Sequence, residues 1–426
     1  MKNTRRNFIK QSALVGAGFM IVPRRVLGGP GYIAPSDEIT LGFIGVGRQG
    51  LGLGKRFQEN DGNRIVAACD VDQSKLQRFR DKTEEKYTEL LGTNTYEGCA
   101  VFSDWRDLIG KDSIDAVVIA TPDHWHGAIA VAALKAGKDV YCEKPLSLTI
   151  QEGRQMVNAT RKNDRVFQTG SMQRSWKRFR HACELVRNGY IGEIQHVKVS
   201  VGPPPKACNL PVEEVLRKID WDMWIGPAPY RGYNHLLAPP IPEEFWPKWR
   251  NYKEFGGGMV TDWGAHMFDI AQWALGMDDT VPVEYFPPNE EREFMILRYA
   301  NGITMSHEDF GKGNAVRFIG SEGVLDVGRR FMDSDPASLA EHEIKDGELR
   351  LYKSDNHYTD FLDAIRTRNK PICDVEIGHR TATICNIVNI AYELNRPLKW
   401  NPRKEKFIGD SEANLMRRRE IRTDWR

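Results

Sequence analysis

The stretch ITLGFIGVGRQG, residues 39–50, decides how this chain folds. A short apolar run, Ile39–Ile44, feeds directly into a turn carrying glycine at 45, 47 and 50. Such a turn has a physical use only between a strand and a helix. Gly45 permits the tight reversal, Gly47 lets backbone approach a ligand closely, and Gly50 lets the new helix pack against the strand. The start of that helix, Arg48-Gln49-Gly50, then points its backbone N–H groups outward, where they suit phosphate.

The pattern repeats downstream. Arg64–Cys69 is a second apolar run, ended by Asp70, and residues 73–91 predict a charged helix. Residues 116–120 (AVVIA) are uninterrupted apolar, the mark of a parallel strand buried on both faces. Residues 126–136 predict a helix, 139–142 a strand, and Thr149 a cap for another helix with Gln151 and Glu152 in its first turn. Residues 165–169 close the series. Strands alternating with helices predict an α/β fold, an N-terminal Rossmann-type doubly wound parallel sheet over residues 36–170.

After Ser171 the texture changes. Residues 201–205 (VGPPP) and 237–242 (LAPPIP) are proline-rich, and tryptophans stand at 221, 224, 246, 249, 263 and 273. Longer runs at 293–299, 303–307 and 316–319, with turns at Asn301-Gly302 and Gly320-Ser321, predict a second α/β domain over 171–426 with an open, mostly antiparallel sheet. The length of 426 residues suits two domains.

Composition excludes several classes. With 41% hydrophobic and 28% charged residues and a formal charge of +2, nothing points to nucleic acid or an acidic membrane as partner. Seven cysteines without CxxC spacing argue against a disulfide framework or zinc ribbon. The cluster Arg417-Arg418-Arg419, with Arg422 and Arg426, reads as a solvated tail. At the other end, Thr4-Arg5-Arg6-Asn7-Phe8-Ile9-Lys10 is a twin-arginine pattern before a short apolar stretch, 12–22, too short to span a membrane. Residues 1–28 therefore read as an export signal, and the mature protein as periplasmic.

Three further segments carry chemistry. Asp70, at the end of the second strand, is placed to bind the ribose hydroxyls of a dinucleotide and to repel a 2′-phosphate, which favours NAD over NADP; Arg48 is a counterweight. Thr121-Pro122-Asp123-His124-Trp125-His126 follows the fourth strand at the sheet's ligand-binding edge, where Thr121, Pro122, Asp123 and His126 are expected to line the cofactor. The i, i+2 histidines lack a third ligand nearby, so no metal site is expected. Tyr141-Cys142 ends a strand, and Glu143-Lys144-Pro145 then lies at the same edge. Pro145 biases Lys144 away from helical backbone and aims its ammonium into the cleft. There it can donate to, or exchange a proton with, a substrate hydroxyl. Finally, in residues 255–269 (FGGGMVTDWGAHMFD), a helix from Thr261 would put Asp262, His266 and Asp269 on one face. His266 is a candidate acid/base, with Asp262 either orienting it or binding a substrate hydroxyl. Gln168, Gln173 and Arg174 are placed to reach the cleft from the domain junction, and Trp263 and Trp176 to stack on the face of a substrate. The tryptophans at 221, 224, 246 and 249 read as packing.

The GVGRQG turn, the TPDHWH loop, the EKP turn and the DWGAH segment, in this order and spacing, resemble the glucose-fructose oxidoreductase/inositol dehydrogenase/rhizopine catabolism (Gfo/Idh/MocA) family. The resemblance covers nearly the whole mature chain. It implies a small-molecule carbohydrate or cyclitol substrate oxidised or reduced with a pyridine nucleotide. It also implies a homodimer or homotetramer formed through the second sheet. The family's lysine falls on Lys144, and its Asp and His on Asp262 and His266. Two reactions stay open: hydride transfer from a secondary hydroxyl, with His266 or Lys144 taking the proton, or glycoside cleavage by transient oxidation, elimination, water addition and re-reduction on retained NAD. A non-catalytic sensor is the remaining class; Lys144 and His266 together count against it.

Overall fold

The computed structural model describes residues 37–425 apart from 216, 242–244, 423 and 424. The expected export signal lies outside the described residues. The first half is a six-stranded, all-parallel sheet in the order β3-β2-β1-β4-β5-β6. Its elements are β1 (Ile39–Ile44), α1 (Arg48–Gln58), β2 (Asn63–Cys69), α2 (Gln73–Leu91), β3 (Ala100–Phe102), α3 (Trp105–Ile109), β4 (Ala116–Ile119), α4 (Asp123–Lys135), β5 (Asp139–Cys142), α5 (Ile150–Lys162) and β6 (Phe167–Thr169). The strand order reverses between β1 and β4, and in such sheets ligands bind at that reversal. Ala116, Val117, Val118 and Ile119 have no exposed surface. Burying a Val or Ile side chain stabilises by roughly 1.5–3 kcal/mol, so an uninterrupted apolar run pays off only inside a sheet covered on both faces.

Local sequence explains the helix ends. Asp72 caps α2 by accepting from the Ser74 N–H, and Gly92 ends it with φ +62°. Thr149 and Glu152 form a reciprocal capping box on α5. α4 begins at Asp123, three residues before the expected start, so both histidines of the TPDHWH stretch sit in its first turn.

The second half adds α6 (Lys177–Arg187), β7 (Ile194–Ser200), α7 (Trp221–Ile225), α8 (Gly258–Asp262), α9 (Gly264–Leu275), β8 (Glu284–Phe286), β9 (Met295–Arg298), β10 (Thr304–His307), β11 (Ala315–Gly320), β12 (Val324–Gly328), β13 (Met332–Asp335), α10 (His357–Thr367), α11 (Val375–Leu394), β14 (Leu398–Asn401), β15 (Lys406–Phe407) and α12 (Ser411–Leu415). Nine strands form one sheet, order β13-β12-β11-β7-β10-β9-β8-β14-β15. Only β7 and β10 pair in parallel. One face packs on α6, α9 and α11 around Phe268, Ile384, Met305 and Phe318. No helix among the described residues is long and apolar enough to cross a membrane.

Two expectations need correction. The DWGAH segment is not one continuous helix, because α8 and α9 meet at Trp263. Nor do Arg417, Arg419 and Arg422 belong to a solvated tail, although Arg418 is exposed and Arg426 lies outside the described residues. Arg419 Nε donates to Glu152, its Nη2 to the His124 carbonyl, and Arg422 pairs with Asp222. These arginines fasten the chain's end across the first sheet's helices.

The proline- and tryptophan-rich segment between β7 and α8 also has a structural task. It returns to the first sheet and pairs with the β2–α2 loop: Gln73 N–H donates to the Lys218 carbonyl (3.1 Å) and Asp220 N–H to the Val71 carbonyl (3.0 Å). Arg217 forms an ion pair with the buried Asp72. Its aromatic residues, among them Trp221, Trp224, Tyr233, Trp249 and Phe255, make a small core of their own. The segment is a strap laid over the carboxyl edge of the parallel sheet.

Candidate active site

A cleft of about 570 Å³ follows the carboxyl ends of β1, β2, β4 and β5 beneath the strap. At one end lies the glycine turn. Gly45 has φ +82°, and a Cβ there would fall 2.6 Å from the Thr121 nitrogen. A Cβ on Gly50 would fall 2.1 Å from the Gly45 carbonyl oxygen, so only glycine lets α1 sit this close to the turn. A Cβ on Gly47 would meet nothing, because that side of the residue opens on the cleft. Asp70 accepts from the Val46 N–H (2.8 Å) and the Asp72 N–H (2.9 Å) at the cleft wall. Burial pushes its carboxyl up, with Lys75 opposing. Open space at Gly47, an enforced close turn at Gly50 and a carboxylate at the β2 end together fit a dinucleotide. Gln49 ties this end to the other, its Nε2 donating to Glu143 Oε1 (2.9 Å). The Arg48 guanidinium lies 4.6 Å from the centre of the Trp246 ring on the strap.

The other end is crowded with charge. Lys144, in a turn whose bond to Pro145 is cis, donates from Nζ to the Asp262 carboxylate (2.7 Å) and the Asp262 carbonyl (3.0 Å). Arg250 adds a contact from Nε to the same carboxylate oxygen at 3.3 Å. Burial works against the charge on Asp262, yet Lys144 and Arg250 hold its carboxyl below the ordinary value. His266 lines the cleft beside them, and its Nδ1 is buried without a partner. Burial, then the charges of Lys144 and Arg329, push its imidazole well below the ordinary value, so the ring is neutral at neutral pH. Asp123 and Glu143 also line this end, both raised by burial: Asp123 further by Asp262, Glu143 against the pull of Lys144.

The structure brings together Gly45, Gly47, Arg48, Gln49, Asp70, Thr121, Pro122, Asp123, Glu143, Lys144, Asp262, Trp263 and His266 on one cleft, with Gly50 directly behind it. Other expected residues are elsewhere. His126 is fully buried between the Pro145 carbonyl (2.9 Å) and the Thr121 carbonyl (3.0 Å), so it braces the EKP turn from behind. Arg174 is 1% exposed and spent on Asp269 and Asp278, which removes Arg174 and Asp269 from the cleft together. Gln173 is likewise buried, 1% exposed, and outside the cleft lining. Gln168 is buried and donates to the His357 carbonyl. Trp176 packs against the second core, away from the cleft, and Trp263 already carries the Arg329 guanidinium over its ring at 4.3 Å. Asp262 does not orient His266; its partners are Lys144 and Arg250.

Some lining residues gave no local signal. Lys75, Arg250 and Arg329 are ordinary surface-type residues in sequence, brought in by tertiary folding. Trp224, Trp246 and Trp249, expected as packing, also line the cleft, and the crowding of tryptophan and proline was the signal that this segment covers something. His124 Nε2 (3.0 Å) and Trp125 Nε1 (3.1 Å) both reach the Trp224 carbonyl, so the TPDHWH stretch anchors the strap. Among the described residues no group of His, Cys, Asp and Glu is placed to hold a metal.

Comparison with known proteins agrees with this geometry. Residues 39–171 match the oxidoreductase family's NAD-binding Rossmann fold, and residues 205–426 its C-terminal alpha/beta domain. The chain is similar to a glycosyl hydrolase family 109 protein of Shewanella pealeana, 33% identical over 215 residues, 46% of this chain and 45% of that protein. It is similar also to an uncharacterized oxidoreductase of Streptococcus pneumoniae, 32% identical over 37% of this chain and 38% of the relative. The matched stretches thus span less than half the length of these relatives. Among solved structures, the WlbA dehydrogenase from Bordetella pertussis in complex with NADH and UDP-GlcNAcA has a TM-score of 0.59 at 19% identity, covering 85% of this chain and 99% of that one. The aldose-aldose oxidoreductase from Caulobacter crescentus, complexed with glycerol, has a TM-score of 0.58 at 18% identity, with 85% and 99% covered. At these identities the likeness is one of fold. Glycine turn, covered cleft and two matched domains together make this chain a member of the Gfo/Idh/MocA oxidoreductase family.

Proposed function

We propose that the chain is an exported, NAD-dependent oxidoreductase acting on a secondary hydroxyl of a sugar, cyclitol or glycoside. The observation that carries this reading is the meeting of Lys144, Asp262 and His266 at the end of a dinucleotide-shaped cleft. Gly45, Gly47 and Gly50 would hold the pyrophosphate, Asp70 the adenosine ribose, and Thr121, Pro122 and Glu143 the inner half. NAD, when bound, supplies a hydride acceptor at that inner end.

The chain's own groups divide the remaining work. An ammonium has three N–H donors, and two of those on Lys144 are engaged by Asp262. The third is left for a substrate hydroxyl oxygen. Asp262 fixes the direction of the Lys144 ammonium and offsets its charge. His266, neutral and with a buried unpartnered nitrogen, is the group that takes the hydroxyl proton. The strap and its tryptophans keep water from the reacting carbon. Assay of the purified protein on a panel of sugars, cyclitols and glycosides tests the reading. Absence of any NADH formation, NAD-linked isotope exchange or aglycone release across the panel overturns it.

A second reading is favoured by the similarity to glycosyl hydrolase family 109 proteins. In it the same groups serve glycoside cleavage by oxidation, elimination, water addition and re-reduction on retained NAD. Aglycone release without added NAD and without net NADH selects it over simple dehydrogenation. Export rests on the twin-arginine pattern at residues 4–10, and replacing Arg5 and Arg6 by Lys should leave the protein in the cytoplasm. A homodimer or homotetramer through the uncovered face of the nine-stranded sheet completes the proposal, checked by sedimentation.

A further inference from the structure

The cations of the cleft are not equivalent. Lys144 and Arg250 share the Asp262 carboxylate, and Lys75 lies 3.4 Å from Asp72. Arg329 has no carboxylate within ion-pair distance among the described residues. It stands in the turn of residues 329–331 between β12 and β13, closed by the Gly328 N–H on the Phe331 carbonyl (3.0 Å). The Arg178 guanidinium grips its carbonyl. Its own guanidinium lies over the Trp263 ring at 4.3 Å, with Trp176 at 5.6 Å. Its Nε is buried and unpartnered.

This is a costly way to keep an arginine. A buried N–H without an acceptor destabilises the fold, and stacking on tryptophan orients a guanidinium without neutralising it. A guanidinium without a carboxylate of its own, lining a cleft, can bind a carboxylate, sulfate or phosphate through two parallel hydrogen bonds. Arg329 lines the cleft within electrostatic reach of Asp262, Glu143 and His266.

We propose that Arg329 receives an oxyanion of the substrate, so that the enzyme acts on acidic sugars, bearing a carboxylate or a sulfate or phosphate ester, in preference to neutral ones. This rests on the reading of the Lys144 end as the sugar site. An oxyanion over Arg329 would also relieve the positive field that opposes proton uptake by His266.

The test is binding to the NAD-loaded protein, followed by tryptophan fluorescence. The probes are glucuronate, glucose 6-sulfate, glucose 6-phosphate and glucose. At least one anionic probe should bind about tenfold or more tightly than glucose, and the three identify which oxyanion fits. Arg329→Gln should remove that preference while Arg329→Lys keeps part of it, with NAD content unchanged in both. Because a variant can misfold, added salt applied to the unaltered protein is the second measurement: it should weaken the anionic probe and leave glucose unaffected. Equal affinity for all four probes, no binding of any, or a preference that survives Arg329→Gln overturns the proposal. Turnover of neutral sugars without that preference would retire Arg329 alone and leave the oxidoreductase reading standing. Arg329-dependent binding of an anion that is never oxidised or cleaved would do the reverse.

Discussion

The two ends of the cleft are built on opposite plans. The nucleotide end is mostly backbone: three glycines, the start of α1, and one carboxylate held by two N–H groups. The substrate end is mostly side chain, with Lys144, Asp262, Arg250, His266 and Arg329 drawn from four separate stretches. A shared cofactor can be held by shape, which tolerates almost no change in volume. Moving a proton needs a field, which is tuned by charges that can be altered one at a time. The first plan breaks by steric insult and the second by charge removal.

Gly50→Val should give the largest effect. Its Cβ would stand 2.1 Å from a backbone oxygen that cannot move away, so the turn must rearrange. Nucleotide content of the purified protein should fall to zero, with a lowered melting temperature. Full NAD content in this variant would break the contrast. Lys144→Met should sharpen it from the other side: kcat falls by about 10²–10⁴-fold with NAD content unchanged. An equal loss of NAD would mean that Lys144 belongs to the nucleotide end.

The field itself can be read from pH. Burial, Lys144 and Arg329 all lower the pKa of His266, so the neutral ring is present at its ordinary value and above. The acid limb of kcat/KM should therefore lie below pH 6.5. Taking away the Arg329 charge removes one of the lowering causes, so Arg329→Gln should move that limb toward higher pH. A limb that stays put would separate Arg329 from the proton transfer. The smallest effect is expected at the mouth. Trp246 is 47% exposed between Arg48 (4.6 Å) and Arg250 (5.0 Å), and each such contact is worth about 0.5–1 kcal/mol at an exposed site. Trp246→Ala should speed NAD release several-fold, measured by dilution into a scavenging dehydrogenase, with kcat nearly intact.

The same contrast governs what could be read from sequence. The glycine turn and Asp70 are local: twelve residues plus one acid at the end of the next strand specify the strand, the turn and the helix. Lys144 was legible because it follows a buried strand, and Asp262 with His266 because they stand four apart. Arg174 misled because its partners Asp269 and Asp278 are about a hundred residues away, and no local pattern announces a buried ion triad. Asp269 is taken from the cleft by that same pairing. His126 was expected on the cleft and lies behind it, since a carbonyl cage formed by residues 121 and 145 exists only in the folded chain. Arg329 had no signal at all, being a polar residue at a hairpin tip like many others.

The strap has a thermodynamic corollary. Where Gln73 bonds across to Lys218 and Asp220 to Val71, one part of the polypeptide is the door of a compartment made by another. For a dinucleotide held there, release would be coupled to the opening of those bonds and of the aromatic cluster, an event of local unfolding. Its escape would then follow denaturant and temperature and ignore competing nucleotide in solution. A nucleotide so held would act as a prosthetic group rather than as an exchanging co-substrate.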